Sequence, residues 1–444
     1  MTSAAKRHIL ISLSPVVGST TEGLLFSYGR RPTQQIRAAF AGRYCASYAR
    51  SAVNKTSAPT RQPAHTATCQ HSTPALHTKN SWSQRSYATV SNDKSTMKAL
   101  VYKGTGQFAL EDKPVPQVQE PTDAIVKGRG FLYTTICGTD LHIVKGDVAT
   151  CTPGRILGHE GVGIIHEPGA AVSRFKKGDH VLINCISSCA TCEYCRRGMY
   201  SHCVKGGWIL GNTIDGTQSE YVRIPVADSS LHAVPQGVDE KALVMFSDIL
   251  PTGNECGTIN ANVQPGSTVA IVGAGPVGLA ALMTARLYSP SLIIVIDQDP
   301  NRLKVAQDFG AQYVVNNAEA SAEEEVMKIT NNVGCDAVIE AVGVPATLEL
   351  AQDLVAPGGT IANVGVHGTS CSLKMEKLWD RNVSLKTRLV DTATTPMLLK
   401  MFAAGGLKAK ELITHEYSFK EMEKAYGVFQ AAAQHQALKM LISV

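Results

Sequence analysis

The stretch VAIVGAGPVGLAALMTARLY, residues 269–288, limits the fold more than any other part of the chain. An apolar run rich in β-branched residues leads into Gly273-x-Gly275-x-x-Gly278, and the residues after it have helical character. In a strand–turn–helix unit the three glycines serve different ends. The first permits the tight turn, the second lets a pyrophosphate approach the backbone, and the third lets helix and strand pack closely. Pro276 and Val277 fall at the start of the helix, whose free amides and dipole would face the phosphates. A lone glycine pattern is weak evidence. Here the next apolar run, LIIVID, ends at Asp297, about twenty residues on, where an acid would bind a ribose diol. A carboxylate at that point also repels a 2′-phosphate, so NAD is expected rather than NADP, with Arg302 one helical turn later softening the preference.

The pattern around this unit extends it. From about Pro265, the apolar segments TVAIVG, LIIVID, CDAVIEAV and TIANVG alternate with helical segments such as PNRLKVAQDFG and PATLELAQDLV. Alternation of that kind builds a doubly wound parallel sheet, an α/β architecture. Upstream, MKALVYKG, DAIVKG, GVGIIHEPG and GDHVLINCI are short strands cut by Gly, Pro and Asp, so a β-rich, barrel-like domain is expected there. The tail holds two amphipathic segments and a last strand, ALKMLIS, and is too short to stand alone. The expected layout is a leader over 1–96, a β-rich domain over 97–251 completed by 391–444, and a dinucleotide domain over 252–390.

Charge separates the leader from the rest. The formal charge of the chain is +5, but residues 1–96 hold twelve Lys or Arg against Glu22 and Asp93, a net +10, which leaves −5 for residues 97–444. The folded part is therefore acidic and offers no footprint for nucleic acid. The leader is basic, poor in acids and interrupted by Pro32, Pro59, Pro63 and Pro74, and its Arg85-Ser86-Tyr87-Ala88 resembles a mitochondrial processing site. A transit peptide and the mitochondrial matrix are expected, with Met97 as an alternative start and the cytoplasm as the alternative compartment. No run approaches the roughly 18 apolar residues of a membrane span.

Twelve cysteines without a secretory signal point to reduced thiols and metal binding. Cys189, Cys192, Cys195 and Cys203 follow C-x2-C-x2-C-x7-C, and four thiolates close a tetrahedral Zn²⁺ with no open position, so this site is structural. An iron–sulfur cluster is the competing reading, but the last cysteine comes seven residues on and lacks the proline of the ferredoxin run. A second, dispersed set comprises Cys137, Thr139, Asp140 and His142 in TTICGTDLH, His159 and Glu160 in GRILGHEGVG, and Asp248 in VMFSDILPTG. Each has a bland reading alone, as buried thiol, turn histidine or helix cap. Beside a dinucleotide domain they gain a purpose, since hydride transfer needs a polarised alcohol oxygen and a three-ligand zinc with an open position supplies one.

CGTDLH, GHEGVG, the four-cysteine loop, GGWILGNTIDGTQSEYVRIP, SDILPTG and VGAGPVGL, in this order and spacing, resemble the zinc-dependent medium-chain alcohol dehydrogenases, especially their secondary-alcohol branch. The resemblance covers essentially residues 97–444. It implies a GroES-like catalytic domain and a Rossmann domain. It also implies two zinc ions per subunit: a catalytic one on Cys137, His159 and Asp248, and a structural one on the four cysteines. Glu160 would sit beside the catalytic metal, Thr139 would take the alcohol proton and His142 would pass it on, and Trp208 would line the substrate pocket. Cys256 is a lesser candidate for third ligand, and residues 128–133 look inserted relative to the family. The expected activity is reversible oxidation of short primary and secondary alcohols with NAD, in a homotetramer or homodimer that binds a small alcohol or ketone, no nucleic acid and no membrane. A polyol or threonine-type dehydrogenase is the alternative, and a catalytically silent NAD-binding protein the more distant one.

Overall fold

The computed structural model describes residues 95–128 and 133–444. The expected leader, the processing site expected in it and most of the 128–133 segment lie outside the described residues.

Six strands form a wholly parallel sheet in the spatial order Tyr313–Asn316, Leu292–Asp297, Thr268–Val272, Cys335–Glu340, Val355–Asn363, Ser384–Thr387. Counted along the chain the order is 3-2-1-4-5-6, so the chain reverses direction beside the first strand and opens a crevice at the strands' carboxyl ends. The first strand is buried on both faces, as an interior parallel strand must be. The helix after it, Pro276–Ala285, has Gly275 as its N-cap and a proline in its first turn. Gly273 has φ 103°, and a side chain at Gly278 would collide with the Gly273 carbonyl, so this turn admits glycine alone at both points.

That helix is enclosed rather than amphipathic: Leu279, Ala280, Ala281, Leu282 and Ala285 are all 0% exposed. Its second neighbour is the π-helix Gly253–Ile259, which approaches so closely that a Cβ on Gly253 would lie 2.5 Å from the Ala281 nitrogen. Each fully buried leucine here stabilises the packing by about 1.5–3 kcal/mol.

The second sheet is mostly antiparallel. Its main path runs Ile413–Ser418, Lys439–Ser443, Tyr133–Thr135, Gly161–Pro168, Ala124–Lys127, Tyr221–Ile224, with His180–Ile183 and Leu231–Ala233 branching from Gly161–Pro168. The last strand of the chain thus lies between Ile413–Ser418 and Tyr133–Thr135, deep in the layer that begins about 300 residues earlier. Thr96–Gly104 and Gln107–Pro114 form a separate antiparallel hairpin. The buried carboxylate of Glu255 accepts from the Asp391 and Thr394 amides, and Asp391 in turn accepts from the amide and hydroxyl of Ser201. The chain returning from the parallel sheet is thereby tied both to the π-helix and to the cysteine loop. No helix of the described residues is long and apolar enough to cross a membrane.

Candidate active site

Three turns of the backbone bring the dispersed set together. Cys137 follows the strand Tyr133–Thr135 and caps the helix Gly138–Lys145, where its amide donates to Asp140 Oδ2 at 2.9 Å. His159 and Glu160 come after Gly158, whose φ of 92° reverses the chain before Gly161–Pro168 and whose missing side chain makes room for Thr217 and Gln218. Asp248 precedes the short helix Ile249–Thr252 and accepts from the Thr252 hydroxyl at 2.6 Å through Oδ1.

The donor atoms converge. Asp248 Oδ2 lies 3.3 Å from His159 Nε2 and 3.7 Å from Cys137 Sγ. With zinc bonds of about 2.3 Å to sulfur, 2.0–2.1 Å to nitrogen and 2.0–2.2 Å to oxygen, a tetrahedral centre has N···O and S···O edges of about 3.4 and 3.6 Å. The observed edges match. Glu160 is a second carboxylate at the same place, and one of its oxygens lies with Cys137 and His159 in a group of donors all within 4.8 Å of one another. Its Oε2 is held by Lys439 Nζ at 2.6 Å, while Oε1 is buried without a hydrogen-bond partner among the described residues. Asp248 therefore has the tighter edges to the other two donors, and Glu160 keeps one oxygen in reserve. Cys256 does not join this group; it packs with Cys185, Ile186 and Val390.

Electrostatics in this cluster also favour a cation. Burial raises the Cys137 thiol above its ordinary pKa. Burial also works against protonation of His159, but Asp248 and Cys137 outweigh it and raise the imidazole well above its usual range. For Asp248, burial is again outweighed, by the His159 ring, and its pKa falls to about 2. A divalent ion at this place would offset the burial of the carboxylates and the thiol together. His159 Nδ1 faces Asp140 Oδ1 at 3.8 Å, beyond hydrogen-bond distance, and neither atom has a hydrogen-bond partner among the described residues. Asp140 Oδ2 accepts from Gln218 Nε2 at 3.2 Å, and Gln218 Oε1 accepts from the buried Tyr426 hydroxyl at 2.9 Å.

The other expected residues separate into near and far. Thr139 Oγ1 is 3.7 Å from Cys137 Sγ, so it borders the donors. His142, one turn along the helix, is partly exposed and pairs with Asp147 Oδ2 at 2.9 Å through Nδ1. The Trp208 ring stands edge-on to His159 with centroids 6.4 Å apart, and its Nε1–H is buried without a hydrogen-bond partner among the described residues. Lys439, Gln218, Tyr426 and Thr252 also lie at the site, and none is singled out from the sequence. Gln218 and Thr252 fall inside the stretches GGWILGNTIDGTQSEYVRIP and SDILPTG, Lys439 is a charge inside the apolar run ALKMLIS, and Tyr426 carries no such signal.

The four-cysteine loop is a second donor group, its sulfurs all within 4.8 Å of one another. Cys189 Sγ and Cys195 Sγ are 4.0 Å apart, against about 3.8 Å for two thiolates on one tetrahedral zinc. Backbone amides point at the sulfurs: Cys189 N to Cys203 Sγ at 3.2 Å, Cys192 N to Cys189 Sγ at 3.4 Å and Lys205 N to Cys203 Sγ at 3.4 Å. Such bonds favour thiolates, and at Cys189 the donors around Thr191 outweigh burial and bring the thiol down to about 6. These two are the only such groups among the described residues.

The glycine turn opens on a cleft lined by Gly273, Gly275, Asp297, Arg302, Val342 and Thr347. Asp297 accepts from the Ala274 amide at 2.7 Å and the Asp299 amide at 2.9 Å, which fixes its carboxylate at the cleft floor. Arg302 stands at the rim, 3.8 Å from Asp299 Oδ2.

The chain belongs to the zinc-dependent medium-chain alcohol dehydrogenases. Residues 120–236 match the alcohol dehydrogenase GroES-like domain and residues 276–404 the zinc-binding dehydrogenase family. An alcohol dehydrogenase of Cupriavidus necator is 35% identical over 358 residues, covering 75% of this chain and 95% of that protein. The zinc-dependent alcohol dehydrogenase 2 of Streptococcus pneumonia superimposes with a TM-score of 0.75 at 48% identity, over 78% of this chain and 99% of that one. A sorbitol dehydrogenase of Halalkalibacterium halodurans is 33% identical, over 78% of this chain and 99% of that protein. Solved relatives carry either nicotinamide cofactor: one from Escherichia coli holds NADH (25% identity, TM-score 0.72, over 79% of this chain and all of that one), and one from Sinorhizobium meliloti holds NADP (26%, 0.70, same coverage). The chain is thus an oxidoreductase of the zinc-dependent alcohol and polyol dehydrogenase family. These relatives also correct one expectation. The mitochondrial matrix and the transit peptide are withdrawn, because the alcohol dehydrogenase of Cupriavidus necator, the sorbitol dehydrogenase of Halalkalibacterium halodurans and the Streptococcus pneumonia enzyme are proteins of bacteria, which have no such organelle, and they point to the alternative compartment, the cytoplasm.

Proposed function

We propose that this protein oxidises short secondary and primary alcohols reversibly with NAD, on a zinc ion held by Cys137, His159 and Asp248. The observation that carries the reading is the convergence of those three donors beside Trp208, with edges of 3.3 and 3.7 Å. Residues 97–251 with 391–444 would then be the catalytic domain, and 252–390 the NAD domain.

When bound, zinc supplies a Lewis acid able to bring the pKa of a coordinated water from 15.7 to about 7, and an alcohol oxygen is polarised in the same way. NAD supplies the hydride acceptor. The chain's own residues do the rest. Thr139, bordering the donors, accepts the alcohol proton through its hydroxyl oxygen. His142, at the protein surface and oriented by Asp147, relays that proton to solvent. Glu160 Oε1 is the spare carboxylate oxygen that can exchange with Asp248 during a cycle, while Lys439 keeps the other oxygen in place. Asp140 stands behind His159. Asp297 holds the ribose diol, and its charge disfavours the 2′-phosphate of NADP.

Trp208 makes one wall of the pocket apolar, which suits a short alkyl group and leaves the extra hydroxyls of a polyol unpaired at about 1–3 kcal/mol each. The sorbitol dehydrogenase relatives favour a second reading, a polyol substrate. Steady-state NADH formation separates them: kcat/KM for propan-2-ol should exceed that for sorbitol and threonine by at least about tenfold, with ethanol in between for want of one methyl contact. Sorbitol turning over faster than propan-2-ol would transfer the assignment to the polyol branch.

A further inference from the structure

Away from the zinc donors, the carboxyl edge of the parallel sheet carries a cysteine, a histidine and two orienting side chains that the alcohol chemistry does not use. Cys371 Sγ lies 3.0 Å from His367 Nδ1, and His367 Nε2 lies 2.7 Å from Asn363 Oδ1. The protons in this chain are fixed by the backbone. Asn363 donates through Nδ2 to the Gly365 carbonyl at 2.9 Å, so its Oδ1 must be the atom that faces the ring. An acceptor there requires a proton on His367 Nε2, which leaves the Nδ1 lone pair directed at the thiol. Behind the ring stands Glu340, 0% exposed, whose Oε1 accepts from Val342 N, Gly343 N and Thr347 Oγ1 at 2.8–2.9 Å. Its Oε2 has no hydrogen-bond partner among the described residues and lies 3.5 Å from His367 Nε2. A side chain at Gly365 would meet that same oxygen at 2.5 Å, so the loop is built to let the carboxylate approach.

We propose that Cys371, His367 and Asn363 form a base-assisted nucleophilic thiol that adds covalently to α,β-unsaturated aldehydes and ketones. The arrangement has the parts such a nucleophile needs: a base within reach, and the base in turn oriented by a third group. The thiol proton passes to His367 Nδ1 as sulfur bonds to the β-carbon. The carbon–carbon π bond breaks and its electron pair moves to the carbonyl as an enolate, and the α-carbon then receives a proton from His367. One C–S and one C–H bond replace the S–H and the π bond, with no oxidant and no leaving group. Glu340 Oε2 faces the positive charge the ring carries between the two transfers.

Access and position both suit this class of electrophile. Cys371 is partly exposed within a loop whose Gly368, Thr369, Ser370 and Ser372 are exposed. The same Glu340 that backs the histidine holds Val342 and Thr347, two walls of the nucleotide cleft. Oxidation of an allylic alcohol would yield an unsaturated carbonyl compound, an electrophile of the class this thiol would take; that link alone rests on the proposed alcohol reaction.

The test uses the full-length zinc-loaded protein without dinucleotide, but-3-en-2-one as the probe, and peptide mass spectrometry to follow each cysteine separately. Cys371 should be alkylated at least about tenfold faster in the native protein than in the same protein unfolded in urea, and His367→Gln and Asn363→Leu should each remove most of that difference. A native rate no higher than the unfolded rate, or one unchanged in His367→Gln, would overturn the proposal. The comparison with the unfolded chain holds even if a variant misfolds. Because the enone is added directly, the outcome is independent of whether propan-2-ol proves to be a substrate.

Discussion

Asp297 is a carboxylate lining a cleft and Glu160 one buried in the core, and their neighbours give them opposite roles. Asp297 is held by two backbone amides and presents charge to a ribose site, so it should govern cofactor choice. Asp297→Ser is expected to raise KM for NAD and to raise the ratio of NADP to NAD use by about tenfold or more, read from initial rates with each cofactor; a wild type that already prefers NADP would refute the assignment. Glu160 is held by Lys439, and each side chain of the pair is 1% exposed. Burial alone would depress the lysine, but Glu160 and Cys137 outweigh it and raise its pKa. Lys439→Met should therefore destabilise the protein by about 3–5 kcal/mol, because it strands a buried carboxylate. Glu160→Gln in the same chain should recover a large part of that loss in denaturant melts. Equal losses in the single and double variants would mean that the lysine acts through packing alone.

The elements show which parts of the molecule are legible in the sequence. The cysteine loop and the glycine turn are local: each ligand or glycine lies within fifteen residues of its partners, and spacing alone conveys the geometry. The alternation of strands and helices is likewise periodic, and the parallel sheet follows it. What escapes the sequence is contact between distant strands. Lys439 and Glu160 are separated by 279 residues, and Tyr426 and Gln218 by 208, and nothing in the local pattern of either partner names the other. Cys371 and His367 lie close in sequence, yet their significance depends on Asn363 and the buried Glu340, which only the sheet brings together. The cysteine loop also carries a testable role at this scale. Ser201, inside it, ties to Asp391 on the chain returning from the parallel sheet. Cys192→Ser should lose one zinc, lower the melting temperature and speed proteolysis of the loop. A variant that keeps full zinc and stability would show that the loop holds no metal.

At the scale of the whole molecule, the parallel sheet ends in an unpaired edge. Ser384–Thr387 is exposed along its length, including Leu385, and Trp379 (75% exposed) and Leu389 flank it in the sequence. An open strand edge flanked by apolar side chains is a template for pairing with a second copy. Self-association through this edge is expected, and light scattering should show a dimer or tetramer that Trp379→Glu with Leu385→Lys weakens; a wild-type monomer at micromolar concentration would contradict it. The proposed chemistry requires two zinc ions of different character in each chain, one closed and one open to substrate. The most direct test is to follow zinc content, circular dichroism and propan-2-ol oxidation together on one sample during graded chelation, with His159→Ala as the reference. Two zinc ions per chain are expected at the start, with activity lost as the first leaves while the fold is retained, and a His159→Ala protein that is folded, inactive and holds one zinc. A single zinc in the fresh wild type, or activity that survives in His159→Ala, would contradict that requirement.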